Sequence, residues 1–222
     1  MLPSLNLNFG VVLSQYPYIL EGVLVTLKFT LLSILCGLPF GVLLGVWKIS
    51  TVKLFKMFAD LYTSIFRGTP LLVQLGLIYY ATPQVTGYTI TAFEAGVLTF
   101  SLNSAAYMSE HIRTGIQSID GGQWEAAHAL GLSRFQTFYH IIFPLAVRNT
   151  LPSLVNEFIN LLKESALIFT IGEADLFFRT KAVAAQNFLY FEPYIVAAVI
   201  YYVMVLIISF FAKRLERSLR YA

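Results

Sequence analysis

Residues 193–212 read PYIVAAVIYYVMVLIISFFA, twenty in a row without a charge. A helix of about 20 mostly apolar residues crosses the roughly 30 Å hydrocarbon core of a bilayer. Lys213, Arg214, Arg217 and Arg220 follow at once, where a span would meet water. Working back toward the N-terminus, four more stretches have spanning length. Residues 18–47 include an uncharged run from Phe29 to Trp47. Residues 54–81 contain Arg67, residues 93–113 are uncharged from 95 to 109, and residues 141–162 carry Glu157. A sixth apolar piece, 166–171, is too short to cross and reads as part of a partly re-entrant external segment. The expectation is one domain over 1–222: an all-α integral membrane protein with five transmembrane helices.

Composition agrees. Of the 222 residues 57% are hydrophobic and only 12% are charged, about half the charged share of a soluble domain. Mean hydropathy is +0.70. Disorder, collagen and an ordinary soluble enzyme are excluded. Cys36 stands alone, so neither an internal disulfide nor a Cys-based zinc site can form. A net charge of +3 on so apolar a chain is no ground for a nucleic-acid partner. The first basic residue is Lys28, so the positive start of a cleavable signal is missing and the first span is expected to act as the targeting signal.

Basic residues orient membrane proteins. Lys48, Lys53, Lys56, Arg113, Arg134, Arg148 and the four at the C-terminal end fall on one set of faces. Lys163, Arg179 and Lys181 fall on the other. Ten against three places the first set in the cytoplasm, the N-terminus outside and the C-terminus inside. Gly37, Gly41 and Gly45 recur every four residues on one face of the first span, where small residues let another helix approach closely. Packing inside the protomer is favoured over a subunit contact. Pro39, Pro70, Pro144 and Pro152 each remove a backbone donor. In lipid such defects must be covered by protein or line a wet cavity, which suits a transporter or channel better than an anchor.

Residues 120–140 do not look like a loop. Asp120-Gly121-Gly122 is turn chemistry, and Gln123 to Leu130 favour helix. Gly131 sits where a helix ends, and Ser133 can cap a second helix beginning at Arg134. Glu125-Ala126-Ala127, Gly131, Ile141 and Pro144 together fit E-A-A-x-x-x-G-x(9)-I-x-L-P, with Phe143 in place of Leu. In this the chain resembles the permease subunits of bacterial ABC importers that use a substrate-binding protein. Arg67-Gly68-Thr69-Pro70-Leu71-Leu72-Val73-Gln74, Ser101 to Tyr107, Asn156-Glu157-Phe158 and Lys163-Glu164-Ser165 resemble that family's polar amino-acid branch. Glu164 and Ala166 depart slightly from its usual Lys-Asp-Thr/Ser-Ser.

The resemblance implies a non-enzymatic subunit of the bacterial cytoplasmic (inner) membrane, surrounded by lipid. It implies three partners: ATP-binding cassette ATPases inside, a second permease copy or homologue, and an amino-acid-binding protein outside. Glu125, Ala126, Ala127 and Gly131 would then couple to the ATPase. No G-x-x-x-x-G-K-[ST] phosphate loop exists in the chain, so ATP hydrolysis by that route must come from another subunit. An ion channel or pore is the alternative; the Glu-Ala-Ala helix speaks against it, since a channel has no need of one.

Candidate cargo contacts are Glu157, Asn160 and Glu164, with Arg67 and Thr69. An acid inside a span is a functional candidate by default. Glu157 and Glu164, seven residues apart, share a helix face at about 10.5 Å along the axis, with Asn160 between them. Two carboxylates so spaced suit both cations of an extended basic amino acid, which ranks slightly ahead of a glutamine-like cargo. The structural alternative is that Glu157 pairs with Arg67 or Lys163. His111, His128 and His140 form no metal-binding pattern, and no metal or cofactor is expected.

Overall fold

The computed structural model describes residues 7–221, and all regular structure among them is helical. The first six residues and Ala222 lie outside it, as do the side chains of 219–221 and therefore that of Arg220. Ten α-helices follow in order: α1 Phe9–Ser14, α2 Tyr16–Ile49, α3 Lys53–Gly68, α4 Leu71–Thr86, α5 Ala92–Gln117, α6 Gly121–Ala129, α7 Arg134–Thr137, α8 Phe143–Glu164, α9 Leu176–Asn187 and α10 Phe191–Tyr221. A π-helical turn, Phe138–Ile142, leads into α8, and a 3-10 turn, Ser165–Ile171, leaves it.

Among the described residues α2 and α10 are long and apolar enough to cross a membrane on their own. At 34 and 31 residues they measure about 51 and 46 Å, so both outrun the bilayer. α5 and α8 have spanning length but carry polar side chains. The expected span 54–81 is not one helix. It breaks at Thr69 and Pro70 into α3 and α4, 16 residues each, about 24 Å. Pro70 supplies no backbone donor and disfavours α geometry in the residue before it.

The break is stitched from two sides. Gln74 Nε2 donates to the Phe66 and Thr69 carbonyls at 2.8 and 3.0 Å. Asn103 Nδ2, from α5, donates to Phe66 O at 3.1 Å and to Gln74 Oε1 at 3.0 Å. The Phe66 and Thr69 carbonyls at the break are thus satisfied inside the protein.

α5 is the pillar: it packs against α2, α3, α4 and α8. A capping box of Thr91 and Glu94 starts it. The glycine stripe of α2 lies on it, as the spacing predicts for packing within the protomer. A Cβ on Gly41 would come within 2.8 Å of Met108 Cβ, and one on Gly45 within 2.9 Å of Ile112. Phe29 meets Phe100 edge to face at 4.9 Å between ring centres, in a core shared with Leu75, Leu161 and Ile168. A second core, with Ile19, Leu162, Leu176, Val183 and Met204, ties α2, α8, α9 and α10 together.

The stretch after α8, expected as an external segment, is largely helical. Asp175 caps α9, accepting from Phe178 N at 2.8 Å. α9 lies so close to α2 that a Cβ on Gly22 would fall 2.7 Å from Leu176 Cα. Arg179 Nη1 closes the pair on Glu21 at 2.6 Å.

Candidate functional site: a polar face of α5 and a helical elbow

Two regions hold the candidate residues. The first is built on α5, whose Asn103, Tyr107, Glu110 and His111 recur at three- and four-residue spacing and so share a side. Arg67, at the end of α3, lays its guanidinium over the Tyr107 ring at 5.2 Å. Its Nη1 is 3.5 Å from Glu110 Oε1. Glu110 also takes Lys48 at 2.6 Å and Arg113 at 2.7 Å, and Lys48 reaches Asp60 at 3.1 Å. Lys48 is almost wholly buried, so these two carboxylates offset its lost hydration. The cluster ties the end of α2 to α3 and α5.

Glu157 pairs with neither Arg67 nor Lys163, against the structural alternative. Lys163 is six residues on, about 120° round the helix from Glu157, and Arg67 is held by Glu110. Instead Glu157 Oε2 faces His111 Nε2 at 3.8 Å. That is too long for a good hydrogen bond, yet the residue is only 6% exposed. Among the described residues no hydrogen bond reaches this carboxylate. A buried acid with one loose partner is expensive for the fold.

The other expected contacts lie differently. Asn160 and Glu164 are exposed on α8, Glu164 as its last residue. Thr69 is exposed too, but its hydroxyl already donates to Ile65 O at 2.9 Å and accepts from Gln74 Nε2 at 2.8 Å. Arg67 is half-exposed beside Tyr107. No metal-binding group of His, Cys, Asp or Glu occurs among the described residues. His111 was not legible as a partner for Glu157; its one signal was the polar spacing of 103, 107 and 111 in an otherwise apolar helix.

The second region is the elbow of α6 and α7. Asp120 caps α6, accepting from Gly122 N at 2.7 Å. Gly131 ends it with φ +78°, a conformation that favours glycine. Leu132 N donates to Ala127 O and Gly131 N to His128 O, the paired bonds of a Schellman ending. Ser133 and Gln136 then cap α7 reciprocally. The outcome is two short helices at a glycine corner, as the sequence suggests. Glu125, Ala126 and Gly131 are exposed, whereas Ala127 is buried against its own chain. Leu130, Phe135 and Tyr139 point outward as well, at 80%, 76% and 58% exposure. These apolar residues, unnamed by the motif, make the elbow sticky. A recess of about 620 Å³ between α6 and α8 is lined by Gln123, His140, Pro144 and Arg148 among others.

Known proteins share this architecture. The chain is 50% identical over 202 residues, 91% of its length and 93% of the other's, to a putative glutamine transport system permease protein GlnP of Rickettsia bellii (strain RML369-C). It is 47% identical over 216 residues, 97% and 99% of the two lengths, to the arginine transport system permease protein ArtQ of Bacillus subtilis (strain 168). The crystal structure of an amino acid ABC transporter with histidines superposes with a TM-score of 0.90 at 42% identity, covering 96% of this chain and all of that one. Residues 37–221 match the binding-protein-dependent transport system inner membrane component. The chain therefore belongs to that family, the inner-membrane permease subunits of ABC importers, in which ATP is hydrolysed by a separate subunit.

Proposed function

We propose that this permease carries a polar amino acid inward and that Glu157 receives the cargo's cationic end. The carrying observation is the buried Glu157 carboxylate with His111 as its one loose partner. Relatives named for glutamine and for arginine, and a structural neighbour described with histidines, support an amino-acid cargo. Every amino acid brings an ammonium group; a basic one brings a second cation, for which Glu164 stands nearly two turns away. Basic cargo therefore ranks slightly ahead of glutamine, which would leave one carboxylate unpaired.

The exposure of Arg67, Thr69, Asn160 and Glu164 leaves their polar groups available to a wet pathway, closed by a second permease copy or homologue. Alternating access would rearrange the spans around it. The elbow, with Glu125, Ala126 and Gly131 outward, docks on the ATPase. Five spans put α10's charged end and the elbow in the cytoplasm and the α4–α5 turn outside. In a Cys36-free background, an impermeant thiol reagent should label Gly87→Cys and not Ser218→Cys. The reverse pattern overturns this topology.

The cargo itself is tested by uptake into proteoliposomes holding permease, ATPase and binding protein. Labelled arginine, lysine, histidine and glutamine are compared. Saturable, ATP-dependent uptake of one or more supports the reading. ATP-independent flux of inorganic ions would favour the pore instead.

A further inference from the structure

The charged end of α10 takes no part in the cargo path or the elbow. Lys213, Arg214 and Arg217 stand there at three- and four-residue spacing below Phe210, so all four side chains share one face of the helix. They line a recess of about 470 Å³. None of the three cations has an ion-pair partner among the described residues. Glu216, the one acid of this end, is three residues from Lys213 and so neighbours it on the helix surface, but it forms no ion pair with any of the three. Following the same face upward, Phe210, Leu206, Val203 and Val199 are all at least 45% exposed. From Val199 to Phe210 that stripe is about 16 Å long, close to an extended acyl chain. The cations begin where the uncharged stretch ends, at headgroup depth.

We propose that this face binds one anionic phospholipid of the leaflet that α10's charged end enters. The phosphate sits among Lys213, Arg214 and Arg217, and an acyl chain lies along Phe210, Leu206, Val203 and Val199. Guanidinium groups match phosphate oxygens two at a time, and the apolar stripe supplies what a soluble phosphate would lack. Basic clusters just beyond a span attract anionic headgroups over zwitterionic ones. The inference rests on reading α10 as a span with a cytoplasmic end, though not on the identity of the cargo.

The test uses the whole transporter, permease with its ATPase subunits, purified and stripped of lipid. Phosphatidylglycerol and phosphatidylcholine of matched chains are titrated and bound lipid is counted by native mass spectrometry. Phosphatidylglycerol should bind at least about tenfold tighter at low salt, with the preference shrinking as salt rises. A Lys213→Gln/Arg214→Gln/Arg217→Gln variant should lose the preference, while Lys53→Gln/Lys56→Gln keeps it. Because the triple variant can insert poorly, a photoreactive phosphatidylglycerol is also applied to the wild type, where labelling should centre on residues 206–217. Equal affinity for the two lipids, or labelling elsewhere, overturns the proposal. So does a triple variant that keeps its lipid preference but sheds the ATPase, which would make this face a protein contact. Lipid counts do not depend on transport, so failure of the cargo reading leaves them unchanged. Surface labelling of Ser218→Cys would instead move the site to the outer leaflet.

Discussion

The two faces of α5 are built on opposite principles. Toward α2 it offers Ser101, Ala105, Met108, Ser109 and Ile112, and α2 answers with Gly37, Gly41 and Gly45. That seam is tight and needs little beyond van der Waals contact, since lipid offers no hydrophobic reward for helix pairing. On the other side α5 offers Asn103, Tyr107, Glu110 and His111 to a broken helix, a cationic cluster and a buried acid. One face tolerates no added volume; the other tolerates no lost polarity.

Adding volume to the tight face should have the largest effect. Gly41→Leu must push into Met108 and the Ala105 backbone. Overpacking commonly costs about 1–3 kcal/mol, and here the helices cannot slide apart without disturbing the core at Phe29 and Phe100. The variant should fail to accumulate in membranes. Wild-type levels on a quantitative immunoblot would show that the seam is looser than the glycine stripe implies.

Next comes the elbow, which belongs to neither face. At Gly131 a Cβ would meet nothing within 4 Å, so substitution acts on the backbone and on the proposed ATPase contact alone. Gly131→Val forces a β-branched residue into left-handed geometry, at about 1–2 kcal/mol. The permease should accumulate normally, while ATPase copurification and uptake fall at least about tenfold. Normal uptake would remove the docking role.

Removing polarity without changing size is milder. Asn103→Leu takes one donor from Phe66 O and leaves Gln74 Oε1 without its partner. A loss of about 1–3 kcal/mol is expected, seen as a lower melting temperature of the purified permease. No shift would mean that Gln74 alone stitches the break.

The smallest effect lies outside both faces. Asp175, fully buried between α9 and α2, has its pKa raised from 3.8 to about 6, chiefly by desolvation. Its folded value lies above its unfolded one, so the folded state binds the extra proton and stability falls as pH rises from about 4 to about 6. Asp175→Asn keeps a capping oxygen and should flatten that slope in thermal melts. An unchanged slope would assign it to another group.

Much of this was legible in the sequence because it is local. The uncharged run 193–212, the glycine spacing on α2 and the caps at Ser133 and Gly131 depend on neighbours a few residues away. The donor missing at Pro70 was visible for the same reason; the repair of the break was not, since Asn103 reaches Phe66 across 37 residues. His111 was missed as Glu157's partner because the helix pairing that joins α5 to α8 leaves no mark on either segment alone. α9 left no clear helical mark in the sequence because Arg179 and Lys181 interrupt a short segment, which Asp175 caps and α2 supports from beneath.

Under the proposed function Glu157 meets the cargo and does not simply brace the bundle. Glu157→Gln tests it in reconstituted transporter, with ATPase copurification and initial uptake of the transported amino acid measured on the same preparations. Glutamine keeps the size and removes the charge, so assembly should be unchanged while uptake falls at least about tenfold. Unchanged apparent affinity and rate for the cargo, at normal assembly, would make Glu157 a structural residue and place the site elsewhere.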